Sequence, residues 1–148
     1  MNQDNALFAY SQPEASPGFL LWQVSNLWQK AIRNALSESK LTHSQFVVAA
    51  GLLWLQKNRK EISQSELSTF TKVDKMVTST VIRQLETKKL VERIKNQRDQ
   101  RAYYLRLTVV GEAIILKALP RVEAVDQEFF GKLGEGEVRF THQLQVLL

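Results

Sequence analysis

The chain has 148 residues, 44% of them hydrophobic, no cysteine and a net charge of +5. That length suits one domain with helical extensions, and the apolar content suffices for a core. Disulfides, thiolate zinc sites, cysteine nucleophiles and thiol redox sensing are excluded, and no apolar run approaches the ~18 residues of a membrane span.

Residues 1–16 are polar, with Pro13 and Pro17 nearby, and read as a loose arm. The opening MNQDNALFAY lacks the basic-then-apolar order of a secretory signal, so a cytoplasmic protein is expected. Residues 18–37 follow a helical period, with Leu20, Val24, Leu27, Ala31 and Ala35 on one stripe widened by Leu21, Trp28 and Ile32. Thr42 and Gln45 form a capping box ahead of the apolar run Phe46 to Leu55. A second box, Ser63 with Glu66, opens a short helix, Gln64–Phe70. After Thr71-Lys72-Val73, Asp74 is a good N-cap for a longer helix to about Lys89, whose buried stripe is predicted as Thr78, Val81, Ile82 and Leu85.

The texture then changes. Leu90–Lys95 and Ala102–Leu107 are rich in branched and aromatic residues and flank a polar, basic turn, which predicts a hairpin. Thr108 caps a long helix to about Phe130, with a kink expected at Pro120, and a last helix runs over Glu137–Leu148. The fold class is therefore mainly α with a small β-wing. Residues 1–40 are expected to form the arm and the first helix, 41–108 a winged helix-turn-helix, and 109–148 the closing helices.

Charge placement points the same way. Residues 75–106 hold nine basic residues (Lys75, Arg83, Lys88, Lys89, Arg93, Lys95, Arg98, Arg101, Arg106) against Glu86, Glu92 and Asp99. A basic segment inside a near-neutral chain is the footprint of a polyanion, although a solvated charged face is the plain alternative. A helix entering the major groove needs a slim polar outer face, which Lys75, Ser79, Thr80 and Arg83 provide, with Met76, Val77 and Gln84 near it. Arg83 is suited to a guanine edge. The Asp74 cap is expected to leave amides for phosphate. Arg98 and Arg101 sit in the hairpin turn, where a protruding arginine suits the minor groove; Asp99 either aims Arg101 or simply makes the turn.

These motifs resemble the MarR family of winged-helix regulators over Leu41–Leu119. The resemblance rests on Ile62-Ser63-Gln64-Ser65-Glu66-Leu67, on Val81-Ile82-Arg83-Gln84-Leu85-Glu86 followed by Lys88-Lys89-Leu90-Val91-Glu92-Arg93, on the wing signature Asp99-x-Arg101, and on Leu107-Thr108-x-x-Gly111. Three positions depart from the pattern: Lys89 where the family turns with glycine, Met76 where it is usually small and polar, and Gly134 where a Ser or Thr cap is usual. The resemblance implies a homodimer held by the first and last helices, a palindromic operator in double-stranded DNA, repression as the common mode, and release by a small aromatic or phenolic effector. The apolar residues on several faces of 109–130 support a dimer independently, since such a helix must be covered.

Trp22, Trp28 and Phe46 are the candidate lining of an effector cleft, with core packing the alternative for the tryptophans, Trp54 included. His43 and His142 have no second ligand at metal spacing, so no metal or cofactor is expected. An enzyme would need a nucleophile with its base, paired carboxylates or a phosphate-binding glycine loop, and none is evident. The remaining alternative is a winged-helix module that binds protein or RNA rather than duplex DNA.

Overall fold

The computed structural model describes residues 7–99 and 101–148. The expected N-terminal arm falls partly on residues 1–6, outside the described residues; the rest of it is exposed up to half-buried Ser16 and contains a single 3-10 turn, Pro13–Ala15.

Six helices and one hairpin follow in order: α1 (Pro17–Ala35), α2 (His43–Gln56), α3 (Gln64–Thr71), α4 (Lys75–Thr87), β1 (Val91–Lys95), β2 (Tyr103–Leu107), α5 (Val109–Phe130) and α6 (Gly136–Val146). The starts are set by local chemistry. Ser16 accepts the Phe19 amide with Pro17 in the first turn of α1. Both capping boxes close reciprocally, at Thr42/Gln45 and at Ser63/Glu66. Thr108 accepts the Gly111 amide at the head of α5, which runs unbroken through Pro120. No side chain caps α6.

The core lies between α1 and α5 on one side and the α2–α3–α4 cluster with the hairpin on the other. The buried stripe of α4 is Thr78, Val81, Ile82 and Leu85, as the periodicity predicts. β1 and β2 pair antiparallel in the register Val91↔Leu107 to Lys95↔Tyr103. The hairpin is anchored twice more: the Leu105 amide donates to the Ile62 carbonyl, and the Leu107 amide to Gln56 Oε1.

The junction between hairpin and α5 explains Leu107-Thr108-x-x-Gly111. Thr108 Oγ1 donates to the Lys89 carbonyl at 2.8 Å while its amide donates to the Leu90 carbonyl. A Cβ at Gly111 would collide with the Leu90 carbonyl oxygen. Only glycine lets α5 cross the chain that closely. Lys89 itself has φ 58, the left-handed turn that glycine adopts at least cost, and Lys40 and Lys72 share that conformation. Accordingly α4 ends at Thr87, two residues before the predicted limit.

The helical flanks differ. Ile32 is the one buried residue among those of α1, whose Leu20, Leu21, Trp22 and Leu27 are exposed. α6 has no buried residue at all. An aromatic chain joins the flanks: the Trp28 ring lies 5.1 Å from His43 edge-on and 6.2 Å from Phe130, which stacks 6.0 Å from Phe140 of α6.

Candidate nucleic-acid interface

The turn between α3 and α4 is fixed from inside. Ser68 and Thr78, both buried, donate to the Val73 carbonyl at 2.7 and 3.2 Å. Thr71 Oγ1 donates to the Leu67 carbonyl and accepts the Val73 amide. α3 thereby hands the chain to α4 with its backbone groups satisfied. Glu66, in the α3 box, is held below the usual carboxylate range by the Ser63 amide, then by the Ser63 hydroxyl.

The outer face of α4 carries Lys75, Met76, Thr80 and Arg83, all exposed, with Ser79 half-buried. Arg83 leans back along the helix: its Nε donates to the Ser79 carbonyl at 3.3 Å and its terminal nitrogen to Ser79 Oγ at 3.4 Å. The head of α4 differs from expectation. Asp74 Oδ1 accepts the Met76 and Val77 amides at 2.8 and 3.4 Å, so two of the amides expected for phosphate are already taken, and by an anion. That turn disfavours phosphate.

Beside the groove-facing side, α4 is tied to α2. Buried Gln45 donates to Gln84 Oε1 at 2.9 Å, and Lys88 Nζ donates both to Gln45 Oε1 and to the Lys40 carbonyl. Lys88 is thus part of the scaffold. Two more of the nine cations are matched, Arg93 with Glu86 at 3.1 Å and Arg106 with Glu92 at 2.7 Å. Both glutamates of the segment are consumed this way, so among the described residues Lys75, Arg83, Lys89, Lys95, Arg98 and Arg101 keep their charge without an ion pair, as does Lys88, whose partners are neutral oxygens.

In the wing, Asn96 Oδ1 accepts the Arg98 amide and Asp99 Oδ1 accepts the Arg101 amide at 2.9 Å. Arg98, Asp99 and Arg101 are all exposed. Among the described ion pairs Asp99 and Arg101 do not meet through their side chains. Asp99 therefore bonds the Arg101 backbone rather than its guanidinium, a contact that fits either an aiming or a plain turn role.

The three residues expected to line an effector cleft are not brought together. Phe46 is buried and walls a recess of about 460 Å³ between α2, α3 and α5, with Trp54, Phe70 and Leu119 and with Lys57 at its lip. Trp28 points elsewhere, donating to Asp126 Oδ1 at 2.7 Å. Trp22 is 68% exposed on another face of α1. Six positions separate the two tryptophans, and at about 100° per residue that turns them roughly 120° apart. Trp54, 58% exposed, stands at the recess mouth under Lys57 Nζ, 4.9 Å from the ring centre, and is not a core residue.

Thr42 and Ser44 are the residues that periodicity overlooked. They open α2 and flank the hollow beside Met76, Val77 and Thr80. Their capping signature was visible, but their nearness to α4 depends on packing between helices far apart in sequence.

A model of the MarR family matches residues 41–103. A Bacillus subtilis (strain 168) protein, described as an uncharacterized HTH-type transcriptional regulator, YdcH, is 40% identical over 139 residues, 94% of each chain. The chain belongs to the MarR family. Its fold is shared with Bordetella bronchiseptica BpsR, whose DNA binding is regulated by 6-hydroxynicotinic acid (TM-score 0.83, 25% identity, 94% of this chain and 97% of that one). It is shared as well with a mutant of Escherichia coli MarR complexed with operator DNA (TM-score 0.80, 26% identity, 95% and 99% of the two chains). This MarR-family member is a winged-helix DNA-binding transcriptional regulator. Among its described residues no helix is long and apolar enough to cross a membrane.

Proposed function

We propose that this regulator is a ligand-responsive repressor, cytoplasmic, that binds a pseudo-palindromic operator as a homodimer. In this reading α4 enters the major groove with Lys75, Met76, Ser79, Thr80 and Arg83, and the wing carries Arg98 and Arg101 to the minor groove. The carrying observation is the positive excess left on the α4 face and wing after Glu86 and Glu92 are consumed by ion pairs. A protein partner would not call for it, and slim hydroxyls around Arg83 suit duplex edges better than unstacked RNA bases.

The dimer reading rests on α1 and α6. An eleven-residue helix with no buried residue is marginal in water by itself, so a second copy is the natural cover for α6 and the apolar face of α1. The effector reading moves from the tryptophan pair to the Phe46 recess, whose mainly apolar walls suit a planar aromatic ligand and whose charged groups, Lys57 and Glu123, could each bond its polar substituents. Such a ligand would act through differential affinity for two spacings of α5 and the DNA-binding lobe.

The test is a footprint with the full chain on duplexes selected from a random pool. Protection of a pseudo-palindrome with half-sites about 10 bp apart is expected. Protection of one isolated half-site at stoichiometric binding contradicts the dimer reading. 6-Hydroxynicotinic acid and related aromatic acids should raise the melting temperature and weaken DNA binding, and Trp54→Ala should reduce both effects. Indifference to the whole set removes the effector reading.

A further inference from the structure

We propose that Met76 reads thymine: its side chain contacts the C5-methyl group of a thymine in each operator half-site, a few base pairs from the base that Arg83 reads. This rests on the reading of α4 as the major-groove helix and adds what that helix selects.

The argument begins with direction. The buried residues of α4 are Thr78, Val81, Ile82 and Leu85. At about 100° per residue, the direction opposite their mean passes within roughly 10° of Met76, with Arg83 and Thr80 about 30° to either side. Met76 is therefore at the centre of the outward face, and it is 80% exposed. Val77, 47% exposed, widens the apolar patch.

Position along the helix adds to this. Met76 is in the first turn, the part of a groove-bound helix that reaches base edges. Its backbone is pinned there, since its amide donates to Asp74 at 2.8 Å. The same carboxylate makes this turn a poor phosphate seat, so Met76 is not displayed merely to dock a backbone amide. Arg83 leans towards it through the bonds to Ser79.

Chemistry selects the base. On the major-groove edges of the four base pairs, the thymine methyl group is the strongly apolar feature, and the other positions offer donors and acceptors. A thioether has no donor and only a weak acceptor, but it is long, unbranched and polarisable. Against a thymine methyl it removes apolar surface from water; against a cytosine amine or a guanine edge it leaves polar groups unmatched. Seven residues at about 1.5 Å each put Arg83 roughly 10 Å further along the helix, or about three base-pair steps of 3.4 Å. The thymine should lie about two to four base pairs from the guanine.

The experiment replaces single thymines of a selected duplex by deoxyuridine, which deletes the methyl group alone. Wild-type affinity should fall about four-fold when the thymine of one half-site is replaced, the effect of one buried methyl-sized group, and roughly fifteen-fold when both half-sites are changed. Met76→Ala should bind the thymine and uracil duplexes equally, with an unchanged melting temperature because the site is exposed. Arg83→Ala should bind more weakly yet keep the uracil penalty. A wild-type protein indifferent to every replacement, or a Met76→Ala protein that keeps the penalty, overturns the proposal and leaves the duplex reading intact. A pool that yields no enriched duplex removes the duplex reading, and this inference with it.

Discussion

The winged-helix lobe and the helical flanks are built to different standards. From α2 to the start of α5 each helix start is capped, the turn is satisfied from within, and Ile82, Leu85 and Leu105 are almost wholly enclosed. In the flanks, α1 leaves Leu21, Trp22 and Leu27 more than half exposed, and α6 has neither a buried residue nor a side-chain cap. The lobe contains the reasons for its own shape. The flanks instead leave apolar side chains that nothing among the described residues covers.

The sharpest way to break the comparison is to damage each region in kind. Leu85→Ala in the lobe should lower stability by about 2–5 kcal/mol, at any protein concentration. Leu27→Asp in α1 should instead convert a dimer of about twice 17.0 kDa into monomer, visible by light scattering at micromolar concentration, and make unfolding less dependent on concentration. A Leu27→Asp protein that stays dimeric would show that α1 is not at the interface.

Gly111→Ala comes next. Its Cβ meets the Leu90 backbone, which cannot yield as a side chain can, so about 3 kcal/mol should be lost in denaturant unfolding. Hydrogen exchange should show the loss first at the Thr108–Leu90 clasp. Gly18→Ala, with open space around it, is the control.

Within the site, Arg83→Ala should cost about 1–3 kcal/mol on a selected operator and less on random duplex. Arg101→Ala should weaken both by similar factors and flatten the salt dependence by roughly one ion per wing. Asp99 separates turn from charge: asparagine can still accept the Arg101 amide, whereas alanine cannot. Asp99→Asn should therefore tighten DNA binding by removing an anion, and Asp99→Ala should tighten it less or weaken it. Equal tightening by both would mean that the Asp99 turn does nothing for Arg101.

Smaller still is Lys89→Gly. Relieving a left-handed lysine should stabilise the protein by about 1 kcal/mol, read as a rise in melting temperature. The gain should vanish at a neighbour such as Lys88, whose φ is ordinary. The least of these effects is a pH slope at the border of the two regions. Burial holds His43 below its ordinary value of 6.5, opposed by Asp126 and helped by Arg33. The folded chain thus prefers neutral His43, and its contribution is complete above pH 6.5 and is lost as pH falls through the lowered folded value. Melting temperatures at pH 7.5 and 5.5 should differ more for wild type than for His43→Gln; equal differences would remove His43 from the account.

The sequence alone determined the helix starts, the α4 stripe, the hairpin and the family, because capping boxes, 3.6-residue periods and the Asp99-x-Arg101 and Leu107-Thr108-x-x-Gly111 motifs are local. It also located the basic segment. Tertiary structure decided the rest. Lys88 looked like one more cation for DNA until packing put its ammonium between Gln45 and the Lys40 carbonyl. The Asp74 cap looked like an open phosphate seat until its carboxylate was seen to occupy two of the amides. Trp22, Trp28 and Phe46 shared only aromatic character; the turn of α1 and the Asp126 carboxylate send the two tryptophans elsewhere, and Trp54 takes their place beside Phe46. Residue type fixes what a side chain can bond to, but which partner it meets depends on contacts between segments tens of residues apart, and no local pattern encodes those.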